Sequence, residues 1–252
     1  MKVIVDGQII DRANSLIDEK GWHSGTGIFE TIKTVNGLPW ALSRHMRRAV
    51  NSALAIGLKL PSEESVRELL PVYLAAEKHD LGMLRISFLG ERKWAAVHLP
   101  YVELTDAAKL MSYSLVDPMN GKVIKAFPYE YRLRILSEVK SSGFDEALVK
   151  NAANKITEGA VCNVLLKIAG QWFTPPLSDG VLPGVVRALV IDNCLVKVRS
   201  IDSWEVDSIE AAFLLSSLRL AQPVASIDGR QLTQSPELGQ EIEAMLLRTS
   251  VG

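Results

Sequence analysis

The 252-residue chain is 48% apolar, and its 28 basic and 29 acidic residues leave a net charge of −1. That length and apolar content allow a core far larger than folding alone requires, in one large domain or two modest ones. The near-balanced, interspersed charges exclude the electrostatic footprint of a nucleic-acid or anionic-membrane binder and favour a small-molecule partner.

Cys162 and Cys194 are the only cysteines, with neither a C-x-x-C pair nor zinc-ligand spacing, which fits a reducing compartment. The opening Met1-Lys2-Val3-Ile4-Val5-Asp6-Gly7 lacks the apolar stretch of a signal peptide, and no apolar run approaches the ~20 residues of a membrane span. A soluble, cytoplasmic protein is expected.

In chain order, Val3 to Val5 and Ile9-Ile10 flank Asp6-Gly7, a positive-φ turn dipeptide, so the chain opens in a β-hairpin. A glycine-rich stretch, Gly21 to Gly27, leads into a strand from Ile28 to Val35 that ends at the Asn36-Gly37 turn. Helical spacing of apolar residues predicts a helix over 42–56 and a second over 63–79, with Ser62 as its N-cap and acidic residues in its first turn. Strands follow at 83–89, 94–104 and 110–116, after which Asp117-Pro118-Met119-Asn120-Gly121 breaks the pattern. The expected division is therefore an N-terminal domain over 1–116, a linker over 117–124 and a C-terminal domain over 125–252. The second part reads as a helix over 132–142, strands at 146–150 and 163–168, and a helix from Pro183-Gly184 to about Asn193. Strands at 195–198 and 212–215 and a closing amphipathic helix complete it, with no repeats.

The segment richest in chemistry runs Ile156-Thr157-Glu158-Gly159-Ala160-Val161-Cys162-Asn163-Val164, then Thr174-Pro175, then Gly184-Val185-Val186-Arg187. It resembles the class IV aminotransferase signature, an ordered set of elements across some thirty residues that is far more specific than one short motif. Leu42-Ser43-Arg44-His45-Met46-Arg47-Arg48-Ala49-Val50-Asn51-Ser52-Ala53 is similar to the family's H-x-x-R-L-x-x-S-A helix, and Gly143-Phe144-Asp145-Glu146-Ala147-Leu148 to its D-E-A-L-like strand. Gly21-Trp22-His23-Ser24-Gly25-Thr26-Gly27-Ile28-Phe29-Glu30-Thr31 resembles the F-G-D-G-V-F-E-T loop, with Trp22-His23-Ser24 departing from F-G-D. The departure falls where the family borders its substrate.

The resemblance implies an α+β, two-domain fold, a small α/β sandwich and a larger pseudobarrel with pyridoxal 5′-phosphate between them. It also implies homodimers and a small-molecule amine substrate. The cofactor is an electron sink only while its ring nitrogen stays protonated, a role for a buried carboxylate, and Glu158 matches that position. Standing alone, Glu158-Gly159 would read as an exposed turn. Free N–H groups at a helix start suit the phosphate, and Gly184, Val185 and Val186 occupy such a start. Arg48 matches the phosphate-binding arginine. Ser217, or Ser216 by a one-residue shift, matches the hydroxyl near the phosphate.

Counting back from the D-E-A-L-like strand places the Schiff-base lysine at Lys125, with Lys122 and Lys140 as competitors. Here Lys125-Ala126-Phe127-Pro128-Tyr129 replaces the K-[ST]-x-N context of lyase-like members. Tyr129 or Tyr131 is a candidate hydroxyl for the cofactor's 3-oxygen, and Glu30 and Arg219 are candidate substrate-side residues. The chain is shorter than branched-chain aminotransferases, which puts an aminodeoxychorismate lyase of folate biosynthesis ahead of a branched-chain or D-amino acid aminotransferase. A non-catalytic relative that keeps only the fold is the third reading. The two enzymatic readings share the displacement of Lys125 by the substrate amine and proton removal by the freed lysine. They part when the lyase expels enolpyruvate and the transaminase releases a keto acid.

Overall fold

The computed structural model describes residues 1–115 and 123–248. The chain forms two compact units, one of Met1–Glu103 and Ile124–Tyr129, the other of Leu104–Val123 and Glu130–Thr249 so far as these are described.

The first unit is built on a seven-stranded sheet in the order Gln8–Asp11, Lys2–Val5, Lys93–Pro100, Leu81–Gly90, Gly27–Val35 and Leu38–Pro39, with Ala126–Phe127 added beside the start of Gly27–Val35. Period-two alternation sends Ile28, Ile32, Leu84, Ile86 and Phe88 to one face. Helix α1 (Leu42–Ile56) covers that face with Leu42, Met46, Ala49 and Ala53, a stripe at helical spacing. Helix α2 (Glu63–Ala76) adds Val66, Leu70, Tyr73 and Leu74 behind a Ser62 cap that accepts from the Ser65 N–H. It stops short of the expected His79, with Glu77 as its C-cap. The strand expected over 94–104 ends at Pro100.

The second unit holds a ten-stranded mixed sheet in the order Val196–Val198, Gln171–Thr174, Asn163–Ile168, Ile209–Ser216, Leu220–Ile227, Ala108–Ser114, Glu146–Lys150, Lys155–Ile156 and Ile201–Asp202, with Arg230–Gln231 alongside Leu220–Ile227. The Ala108–Ser114 strand lies in its interior, parallel to both neighbours. The second unit thus begins at Leu104 and the first regains Ile124–Tyr129, where the sequence reading set boundaries at 116 and 125. The reason is pairing: a strand belongs to the sheet that completes its ladder, which its own residues do not announce. Of the expected linker over 117–124, residues 117–122, with Lys122, lie outside the described residues.

Strand Leu220–Ile227 went unread because Pro223 argues against a central strand. Pairing with Ala108–Ser114 starts only at Val224, so the missing N–H removes no bond on that side. Helices α3 (Glu130–Ser141), α4 (Val185–Asn193) and α5 (Pro236–Arg248) belong to this unit. Helix α3 buries Arg132, Ile135 and Val139, one stripe in which an arginine takes an apolar position.

Candidate active site

In the first unit, Lys125 sits where Ala126–Phe127 joins the sheet edge. Its carbonyl accepts from the Phe29 N–H at 2.9 Å. Its amine lies 4.4 Å from the centre of the Phe29 ring and 5.1 Å from that of Tyr129. Trp22 stacks on Tyr129 at 5.8 Å and meets Phe29 edge-on at 5.0 Å. The residue that breaks the family's loop pattern is therefore part of the aromatic wall around the lysine.

Arg85, unmarked in the sequence reading, covers Trp22 with its guanidinium 3.6 Å from the ring centre. Only 7% exposed, it donates to the Lys20 carbonyl at 2.9 Å, while its Nε finds no hydrogen-bond partner among the described residues. Burial, partly offset by Asp18, lowers its pKa to about 10. A buried guanidinium with a donor unspent is suited to a carboxylate. Lone within the alternating strand Leu81–Gly90, it was detectable from sequence as a charge among apolar neighbours.

On the sheet face toward α1, Glu30 is 1% exposed and accepts from Arg48 Nε at 2.8 Å, from a second Arg48 nitrogen, and from His45 Nδ1 at 2.7 Å. Burial alone would raise the Glu30 carboxyl, but the Arg48 charge and these bonds prevail and hold it down at about 2. An ionised carboxylate only accepts, so His45 Nδ1 carries the proton. Burial lowers the His45 pKa, against the pull of Glu30, and the Lys125 charge pushes the same way as burial. Glu30, expected on the substrate side, is placed here as the residue that orients Arg48.

In the second unit, Glu158 is 4% exposed. Its Oε1 accepts from Arg132 at 2.8 Å, and its Oε2 from Asn163 Nδ2 at 3.0 Å and the Leu182 N–H at 2.9 Å. The E-G-x-x-x-N run and the segment before α4 thus close on one carboxylate. Gly184 is the N-cap of α4 and supplies no side chain to cap it. A Cβ there would lie 1.8 Å from Asn163 Oδ1, so this position needs glycine for the approach of Asn163 rather than for that of a ligand. Val185 and Val186 form the first turn, both buried. Arg187 donates to Thr174 Oγ1 at 3.2 Å and to the Pro175 carbonyl at 2.8 Å, which explains the T-P and G-x-x-R elements as one structural tie.

Ser216 ends the strand Ile209–Ser216 and its hydroxyl oxygen accepts from the Arg219 N–H at 3.1 Å; Ser217 follows, partly buried. Arg219, expected on the substrate side, pairs with the fully buried Glu146 at 2.8 Å. Lys140 is exposed on α3, and Tyr131 is exposed as well. Among the described residues no helix is long and apolar enough to cross a membrane, and no group of three or more His, Cys, Asp or Glu could hold a metal.

In the first unit the Lys125 amine lies against aromatic rings, and in the second unit a clamped buried carboxylate and a helix start without a side-chain cap are present; each is a kind of group that pyridoxal 5′-phosphate chemistry uses. The α+β fold and the family match mark the chain as a pyridoxal-phosphate-dependent enzyme. A model of the family described as amino-transferase class IV matches residues 27–227, and the chain belongs to that family. It is 24% identical to the D-alanine aminotransferase of Bacillus licheniformis, over 92% of this chain and 90% of that protein. It is 21% identical to the bifunctional aminodeoxychorismate lyase / D-amino acid transaminase of Mycobacterium tuberculosis, over 94% of each. The branched-chain aminotransferase of Thermoproteus uzoniensis superposes with a TM-score of 0.84 at 24% identity, over 100% of this chain and 96% of that one.

Proposed function

We propose that the chain is a lyase-like enzyme that converts 4-amino-4-deoxychorismate to 4-aminobenzoate and pyruvate, with transamination of an amino acid as the second reading. The observation that carries a carboxylate-bearing amine substrate is Arg85, whose guanidinium lies on Trp22 and 5.9 Å from the centre of the same Phe29 ring that the Lys125 amine faces at 4.4 Å. The similarity to a bifunctional lyase and transaminase supports the first reading, and that to D-alanine aminotransferase the second.

Pyridoxal phosphate, when bound, supplies an electron sink for the substrate's amine-bearing carbon. Lys125 would carry it covalently, Glu158 would keep its ring nitrogen protonated, and Arg48, the start of α4 at Gly184, Val185 and Val186, and Ser216 or Ser217 would receive its phosphate. Phe29 and Tyr129, the latter stacked on Trp22, hold the Lys125 amine against aromatic faces. Once the substrate amine takes its place, the freed Lys125 amine would take the proton from the amine-bearing carbon. In the lyase reading the electron pair left behind would expel the enolpyruvyl oxygen and make the ring aromatic, and the released enolpyruvate would take up a proton as pyruvate. In the second reading Lys125 would return that proton on the other side of the amine nitrogen, and water would supply the keto acid's oxygen while the amine stayed with the cofactor.

The test is a paired assay on cofactor-loaded protein: 4-aminobenzoate release from aminodeoxychorismate, beside spectra recorded with a panel of L- and D-amino acids. Release without conversion of the cofactor to its amine form supports the lyase; conversion by an amino acid without release makes it an aminotransferase. Lys125→Ala is expected to abolish the borohydride-sensitive visible band while near-ultraviolet circular dichroism stays native. A band that survives moves the assignment to Lys122 or Lys140. Arg85→Gln is expected to raise KM for carboxylate substrates by about 100-fold, the loss of one charge-assisted hydrogen bond, and to leave cofactor binding intact.

A further inference from the structure

The carboxylate of Glu158 is held from three separate elements: Arg132 on α3, Asn163 at the start of the strand Asn163–Ile168, and the Leu182 N–H ahead of α4. Two of these partners are neutral. Arg132 is different: 7% exposed, it brings a full positive charge into the interior and gives a second bond to the Gly159 carbonyl at 3.4 Å. An arginine side chain keeps its charge at every pH of interest, so its pairing with Glu158 is permanent. A hydrophobic residue in the Ile135–Val139 stripe would serve packing better, because taking a guanidinium out of water is costly. Arg187 on α4, already spent on Thr174 and Pro175, and Cys162, which faces Glu146 and Arg219, also lie near Glu158.

We propose that Arg132 is a positioning residue for the cofactor: by pairing with Glu158 Oε1 it fixes the orientation of that carboxylate and offsets its charge, which limits how strongly it holds a proton on a ring nitrogen facing it. The proposal rests on the reading that Glu158 faces the cofactor's ring nitrogen. A positive charge behind the carboxylate disfavours further positive charge on the cofactor, so removing it raises the cofactor's proton affinity. Removing the carboxylate does the reverse.

The experiment is a pH titration of the visible cofactor band in the holoenzyme, with the cofactor dissociation constant measured alongside. In Arg132→Gln the midpoint is expected to move up by about one pH unit. In Arg132→Lys, which keeps the charge, it should stay near the native value even if stability falls. In Glu158→Gln it should move down. Arg132→Met, which keeps the buried stem, is measured in parallel in case the glutamine variant does not fold. A midpoint unmoved in both neutral variants, or moved equally by Arg132→Lys, overturns the proposal and leaves Arg132 a packing residue. If Glu158→Gln leaves midpoint and dissociation constant unchanged, the underlying reading of Glu158 fails instead.

Discussion

Replacing Glu30 with glutamine keeps the volume of the side chain but removes the charge that Arg48 and His45 share. In the native first unit the carboxyl is held at about 2 against an ordinary 4.5. That gap corresponds to about 3 kcal/mol, at roughly 1.4 kcal/mol per pH unit. A folded-state value below the unfolded one means stability that is present in full above the unfolded value and lost as pH falls toward the folded one. His45 acts in the same direction, since its lowered value makes the unfolded chain the better proton acceptor below about 6.5. The native protein should therefore lose stability from about pH 6.5 downward, with the Glu30 share lost between about pH 5 and pH 2. Glu30→Gln should be less stable by about 3 to 5 kcal/mol near neutrality, since Arg48 is left buried without its counter-charge, and that deficit should shrink on acidification. Urea unfolding followed by tryptophan fluorescence, to which Trp22, Trp40 and Trp94 of this unit contribute, measures both quantities. A variant within about 1 kcal/mol of native at neutral pH, or one whose deficit does not change with acid, refutes the assignment of the network.

Gly184→Ala should cost about 2 to 4 kcal/mol and weaken cofactor affinity, because the new Cβ would displace Asn163 from Glu158; the dissociation constant and a melting curve check both. Arg187→Met should loosen the Thr174-Pro175 turn and cost about 2 to 3 kcal/mol, read as a melting temperature that falls without a change in the position of the cofactor band.

The helices α1 and α2, the opening hairpin and the strands Gly27–Val35, Glu146–Lys150 and Asn163–Ile168 were legible because their periodicity and turn residues are local properties of the chain. The resemblance carried by the Glu158 to Arg187 run identified the family, and the helix over 42–56 and the strand after Gly143 supplied the registers from which Arg48 and Lys125 are proposed. What it could not supply was the partner of each group. Glu30 and Arg219 are charged residues near motifs, and the sequence carries no mark of the side chain that meets each. Folding pairs them with Arg48 and Glu146 across 18 and 73 residues of chain. Arg85 and Arg132 were passed over for the same reason: each reads as one charge in an apolar stripe, and only burial turns it into an unspent donor or a clamp. Composition, periodicity and motif order determine elements and family, being written in near neighbours. Ladder membership, counter-ions and desolvation arise from contacts between distant residues, so the boundary at Leu104, the Glu30–Arg48–His45 network and the Arg132–Glu158 pair were decided by the tertiary structure alone.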